Sequence, residues 1–265
     1  MSGTEMRDVA SEQDARGITI DRVGIRELHL PVRIRERDGG YARVLGRVDA
    51  AVELPDIQRG THMSRFVNIL SEWSKQPVSV VELEQTLRVM VERFVAPAAE
   101  VSVQFKYFLP KRAPASGRVS ELDYDCSFAG RIRGESFHFI LGAAAPIMTL
   151  CPCSKEISER GAHSQRATLS VRVITRPGAI LWLEDLIPLL ERQGSCDVYP
   201  LLKRADEKVV TETAYDNPKF VEDVVRDTIV ALRESPDVIA CSAECESMES
   251  IHNHVAYAYA EYGDI

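Results

Sequence analysis

The sequence predicts an α+β protein made of two antiparallel ββααββ units, and three observations predict it. Strand-like segments come in pairs, amphipathic helical stretches separate the pairs, and this order runs through the chain twice. No Gly-x-Gly-x-x-Gly or P-loop run occurs to suggest a doubly wound nucleotide-binding sheet.

Residues 1–17 are polar and aperiodic and read as a mobile leader. Extended β-rich segments follow at Val23–Ile34 and Tyr41–Leu54, with Arg-Asp-Gly-Gly between them as hairpin chemistry. Ser64 can cap a helix over Arg65–Trp73, and Val81, Leu83, Leu87, Val91 and Phe94 recur at helical spacing over Val80–Val95. Val101–Leu109 and Arg118–Arg131 complete a first module, residues 18–134, around a Pro- and Ser-containing loop. The second module, residues 135–265, has strands at Ser136–Met148 and Gln165–Thr175, then helices at Leu183–Gln193 and Pro218–Arg233. Strands at Val238–Ser247 and His254–Tyr262 close it. Asn217-Pro218 reads as a helix start, and Pro188 as an early turn or kink.

At 265 residues with 45% hydrophobic content, the chain can bury a substantial core. A net charge of −8 argues against a general nucleic-acid binder, while leaving room for a small anion in a local basic pocket. The longest apolar stretch, Phe139–Leu150, is well short of the roughly 20 residues that span a bilayer, so no membrane role is expected. Six cysteines in a long chain whose N-terminal region has no signal-like apolar core point to reduced thiols in a cytoplasm.

The richest stretch runs from Cys151-Pro-Cys153 to His163 and Arg166. Thiolate sulfur and imidazole nitrogen are the ligand types that Zn²⁺ and its neighbours prefer. No second Cys-x-x-Cys or His-x-x-x-His pair closes a four-ligand cage, so the pattern favours a catalytic metal with an open position over a structural one.

Five runs extend this signal along the chain: Cys-Pro-Cys-Ser-Lys-Glu-Ile-Ser, Gly-Ala-His-Ser-Gln-Arg, Asp-Ile-Gln-Arg-Gly-Thr-His-Met-Ser-Arg-Phe, Asp-Glu-Lys-Val-Val-Thr-Glu and Asn-Pro-Lys-Phe-Val-Glu-Asp. Together they resemble the type IB GTP cyclohydrolases. The resemblance implies a tunnelling fold, with two ββααββ modules per subunit and a homotetrameric barrel holding active sites at subunit interfaces. It also implies conversion of GTP and water to 7,8-dihydroneopterin triphosphate and formate, on the way to folate and other pterins.

By the same resemblance, Cys151, His163 and Glu207 match the metal ligands, with Zn²⁺, Mn²⁺ or Fe²⁺ all compatible with mixed S/N/O donors. Such a set leaves a position for water, whose pKa a bound Zn²⁺ lowers from about 15.7 to about 7. Cys153 matches a catalytic thiol, with the division of labour between it and Cys151 left open. Glu249, His252 and His254 match acid/base and water-relay positions, and Glu222 a guanine anchor whose carboxylate offers two acceptors to the planar ring edge. Lys155, Arg166, Lys203, Arg204, Arg59 and Arg65 are the triphosphate candidates.

Read alone, each residue has a plainer role. Glu222 stands four residues before Arg226 and would be a surface ion pair, and His62 a capping or interface residue. Cys126, Cys196, Cys241 and Cys245 read as structural. Two rivals remain at this point: an NADPH-dependent tunnelling-fold nitrile reductase, and a non-catalytic assembly protein with a structural metal.

Overall fold

Alternating burial builds the first hairpin of the computed structural model, which describes residues 8–10 and 12–265. Strand β1 (Ile20–Arg35) pairs antiparallel with β2 (Tyr41–Leu54), and Gly46, Val48, Ala50, Val52 and Leu54 of β2 all point inward at period two. Helix α1 (Met63–Trp73), strand β3 (Pro77–Val78) and helix α2 (Val80–Phe94) follow, then β4 (Ala98–Arg112) and β5 (Val119–Arg133). Next come β6 (Ser136–Leu150), α3 (Pro152–Ile157), β7 (Ser164–Thr175), α4 (Leu183–Glu191) and β8 (Cys196–Asp197). Helices α5 (Arg204–Asp216) and α6 (Val221–Arg233) and strands β9 (Val238–Met248) and β10 (Val255–Tyr262) end the chain.

Two compact units form, one up to Phe105 with Phe128–Phe139, the other Lys106–Ser127 with Ile140–Ile265. The division falls within β4 and β5. In the first unit the strand order is β4-β2-β1-β3, and Phe66, Leu70, Trp73, Leu83, Leu87 and Met90 bring the apolar stripes of α1 and α2 into its core. In the second, β10-β9-β7-β6 run in order beside its portions of β5 and β4, and β8 pairs with the end of β6. Helix α6 packs on β9 and β10, and α4 on α6.

Several expectations are corrected. Residues 12–14 are not a loose leader: Gln13 bridges Gln58, Asp14 N–H donates to Ile57 and Arg59 N–H to Glu12, each at 3.0 Å. Residues 1–7 and 11 of the expected leader lie outside the described residues. Helix α1 starts at Met63, so His62 rather than Ser64 holds the N-cap position, and its side chain makes no capping hydrogen bond. The duplicated ββααββ order holds for the long strands, but the second module carries two unforeseen helices, α3 and α5. Helix α6 starts at Val221, not Pro218. Asn217 instead ends α5 and donates its side-chain amide to the Gly194 and Ser195 carbonyls, while the Asp223 carboxylate accepts from Phe220 N–H at 3.1 Å. Pro188 sits inside α4 without ending it.

Candidate active site

The chemistry-bearing residues of the second unit gather where β6 ends. Thr149 lies opposite Gln165, and Leu150 opposite Ser164, across the β6–β7 ladder; Ala167 lies opposite Ser247 across β7–β9. Directly paired residues share a sheet face and alternate residues return to it, so Thr149, Gln165, Ala167 and Ser247 face the same way, together with buried Leu169 and Cys245.

The turn after β6 is held from two sides. Ser195 Oγ accepts from Leu150 N–H at 3.1 Å, and Ser195 N–H donates to Met148. Lys219 N–H donates to the Leu150 carbonyl, and its ammonium to Gln193 and Asp227. The loop lies so close to β6 that a Cβ on Gly194 would stand 2.8 Å from Ile147 Cβ, which is why glycine occupies that position. With Leu150 fixed, Cys151 becomes the N-cap of α3, its sulfur accepting from Ser154 N–H at 3.4 Å. Cys153 follows, exposed, on the first turn.

Cys151 and His163 are brought together, because Cys151 N–H donates to the His163 carbonyl at 3.1 Å. Around the imidazole lies a polar chain. His163 Nδ1 is 2.9 Å from Gln165 Oε1 and 3.7 Å from Glu249 Oε2. Gln165 Nε2 donates to Thr149 Oγ1 at 3.0 Å and to Glu249 Oε1 at 3.3 Å, and Ser247 Oγ donates to the same carboxylate oxygen at 3.2 Å. Thr149 and Ser247 are buried and 3.2 Å apart, so the chain of hydroxyls ends in the core.

Not every expected residue joins this cluster. Glu207 is exposed on the first turn of α5, and among the described residues no three His, Cys, Asp or Glu side chains converge to hold a metal ion, so the expected Cys151/His163/Glu207 cage is not closed. The donor chemistry of the thiol and imidazole fits a borderline cation; the carboxylate is not gathered with them. Its neighbour Asp206 is instead buried and accepts from Ala115 N–H, Ser116 N–H, Ser116 Oγ–H and Lys203 N–H at 2.7–2.8 Å. Burial alone would raise its pKa, but these donors outweigh it and hold the carboxyl well below the ordinary range.

Glu222 is exposed on the first turn of α6 and close enough to β9 to act on Cys245, whose thiol is pushed up to about 12 by burial first and then by the Glu222 and Glu246 charges. His252 and His254 are exposed, with rings stacked at 4.9 Å and 11°. Lys155 donates to the Tyr215 carbonyl and lies 4.3 Å above its ring. Arg166, Lys203 and Arg204 are exposed in the second unit. In the first unit, Arg59 pairs with Glu12 at 2.6 Å, and Arg65 reaches the Arg93 carbonyl at 3.4 Å. A pocket of 370 Å³ in the second unit, lined in part by Glu191, Ser195, Asp197, Thr213 and Asn217, contains none of the expected site residues.

A family model described as type I GTP cyclohydrolase folE2 matches residues 6–258. The chain belongs to that family. A GTP cyclohydrolase FolE2 of Thiobacillus denitrificans is 46% identical over 257 residues, which cover 97% of this chain and 94% of that protein. One of Halorhodospira halophila is 46% identical over 256 residues, covering 97% and 98%. Among solved structures, a uricase from Arthrobacter globiformis superposes with a TM-score of 0.59 over 92% of this chain and 93% of its own, at 10% identity. That likeness speaks for the α+β fold alone.

In this FolE2-family chain, sequence reasoning named Glu249 and His163 but passed over Gln165, Thr149 and Ser247, which tie them together. The signal was present. All three are polar residues at inward positions of strands whose other inward residues are apolar, such as Ile147, Ala167, Leu169 and Cys245.

Proposed function

We propose that this chain converts GTP and water to 7,8-dihydroneopterin triphosphate and formate, supplying a pterin precursor for folate biosynthesis. The reading is carried by a family match over nearly the whole chain, whose Cys151 and His163 adjoin through a main-chain hydrogen bond beside Glu249. Cys151 and His163, with Glu207 as carboxylate, would hold one divalent ion, Zn²⁺, Mn²⁺ or Fe²⁺. When bound, the ion supplies Lewis acidity and a water of lowered pKa.

The chain's own residues do the rest. Glu222 accepts hydrogen bonds from the guanine edge, and the ring is held so that water adds at C8. Cys153, Glu249, His252 and His254 move protons as the imidazole ring opens and formate leaves. Arg166, Lys203, Arg204, Lys155, Arg59 and Arg65 supply the positive charge from which the triphosphate contacts are drawn. A homotetramer in the cytoplasm, with its sites at subunit interfaces, completes the reading. Among the described residues, no helix is long and apolar enough to cross a membrane.

The test is formate release with pterin fluorescence, from reduced, chelator-treated protein given GTP with Zn²⁺, with Mn²⁺ or with no metal. Both products should return with metal. Their joint absence in folded protein would overturn the reading.

A further inference from the structure

The hydrogen-bond chain beside His163 has a direction, and the direction follows from the chemistry of its members. An ionised carboxylate only accepts hydrogen bonds, so the two groups that reach Glu249 Oε1, Gln165 Nε2 at 3.3 Å and Ser247 Oγ at 3.2 Å, must both donate. The Gln165 amide is thereby fixed with its nitrogen toward Glu249 and Thr149 and its oxygen toward His163. Having given its proton to Glu249, Ser247 Oγ can only accept at its contact with Thr149, so the Thr149 hydroxyl donates there and accepts from Gln165. Every proton in the chain then has one place.

The consequence falls on the imidazole. Gln165 Oε1 lies 2.9 Å from His163 Nδ1, and a carbonyl oxygen can only accept, so Nδ1 carries the proton. Glu249 Oε2, 3.7 Å from the same nitrogen, reinforces that choice electrostatically. Ser250 Oγ takes the remaining acceptor site of Gln165 Oε1 at 3.4 Å. In neutral imidazole only one nitrogen is protonated, so Nε2 is left with a free lone pair.

We propose that Gln165 is a positioning residue that locks His163 in the Nδ1–H tautomer and so presents a bare Nε2. The proposal rests on the metal reading only for what Nε2 is used for, as a ligand nitrogen; the tautomer itself follows from the network. Gln165 relays the orienting effect of Glu249 to His163 through a neutral amide, so the carboxylate stays available at its second oxygen. A hydrophobic residue at 165 would leave the ring free to exchange tautomers and to rotate.

Long-range ¹H–¹⁵N correlation spectra of histidine-labelled, reduced, metal-free protein test this, with His163 assigned by the signals lost in His163→Gln. The expected result is a pyrrole-type Nδ1 and a pyridine-type Nε2. In Gln165→Leu these should shift to a mixture or to the Nε2–H form. Zn²⁺ affinity, measured by competition with a chromophoric chelator, should weaken by about 10–100-fold in Gln165→Leu. An Nε2–H tautomer in the unsubstituted protein, or an unchanged tautomer in folded Gln165→Leu, would overturn the proposal. If Gln165→Leu does not fold, the spectrum of the unsubstituted protein still decides. Since neither metal nor GTP is present, a chain that makes no pterin can still show the tautomer, so failure of the functional reading and failure of this one are separable.

Discussion

Two polar clusters in the same unit are wired in opposite ways. Around Lys111 every charged group has a partner: its side chain is 11% exposed, and its ammonium lies 2.7 Å from Glu191 and 2.6 Å from Asp197 and stands 5.2 Å over the Tyr199 ring. Tyr124 donates to Glu191 at 2.7 Å, and burial, with that hydrogen bond, drives its phenol pKa far upward. Around His163, by contrast, a carboxylate and an imidazole are joined by the uncharged Gln165, Cys151 adjoins them through its main chain, and among the described residues no Lys or Arg side chain is hydrogen-bonded to these side chains. The first cluster has spent its bonding capacity on the fold. The second keeps ligand-competent atoms in reserve, and that difference is what marks a site.

The comparison breaks most visibly if metal removal does the wrong thing. Chelation, or His163→Ala, should abolish formate release, a loss greater than the roughly 10–100-fold typical of outer-shell groups, while the melting transition moves little. Circular dichroism with an activity assay measures both. Unfolding on chelation would instead make the metal structural.

Lys111→Met should do the reverse. Removing one member of a buried ion pair leaves Glu191 and Asp197 uncompensated, and costs about 3–5 kcal/mol. Urea unfolding should record that loss, with kcat per folded molecule unchanged. A double variant, Lys111→Met with Glu191→Leu, should recover only part of it, because Asp197 and the buried Tyr124 hydroxyl both lose their partner; an unchanged midpoint in the single variant would mean that the pair contributes nothing.

Cys153→Ser tests the exposed thiol on the first turn of α3, two residues after Cys151. If the thiol moves a proton, kcat should fall by about 10²–10⁴-fold with metal content intact. A loss of metal instead would assign Cys153 to ligation.

Asp206 sharpens the contrast through pH. Its folded pKa is depressed, so its contribution to stability is present above the unfolded aspartate value, about 3.9, and is lost as pH falls toward the folded one. Asp206→Asn should therefore lower the midpoint of unfolding at pH 7 and flatten its decline below pH about 4. Parallel curves for the two proteins would show that the carboxylate is not what anchors residues 115–116.

What the sequence disclosed follows the same division between apolar pattern and polar wiring. The sequence pattern marks strand β2 at its observed bounds and α2 to within a residue, because both carry a strong period. Helix α5 was invisible, since only Asp206, Val210 and Ala214 of its thirteen residues are buried and one of those is charged. Asn217-Pro218 misled because an asparagine that closes one helix and ties down a neighbouring loop looks the same in sequence as one that opens the next. At the site, motifs named Cys151, His163 and Glu249, but which atoms meet depends on strand register. Only the pairing of Thr149 with Gln165, and of Ala167 with Ser247, brings residues from three strands onto one hydrogen-bond chain.

The smallest expected effect concerns Lys155, which could belong to either kind of wiring. Its ammonium donates to the last-turn carbonyl of Tyr215 and lies over that residue's ring, where a cation also complements the negative end of the α5 dipole. These contacts resemble the Lys111 cluster in being already satisfied. A phosphate could win the ammonium only by displacing them. Lys155→Met should accordingly cost about 0.5–1 kcal/mol of stability and leave KM for GTP within about twofold, since the exposed Arg166, Lys203 and Arg204 keep their charge. A KM increase of tenfold or more without a change in the unfolding midpoint would move Lys155 into the site, and would mean that α3 gives up its hold on α5 when the triphosphate binds.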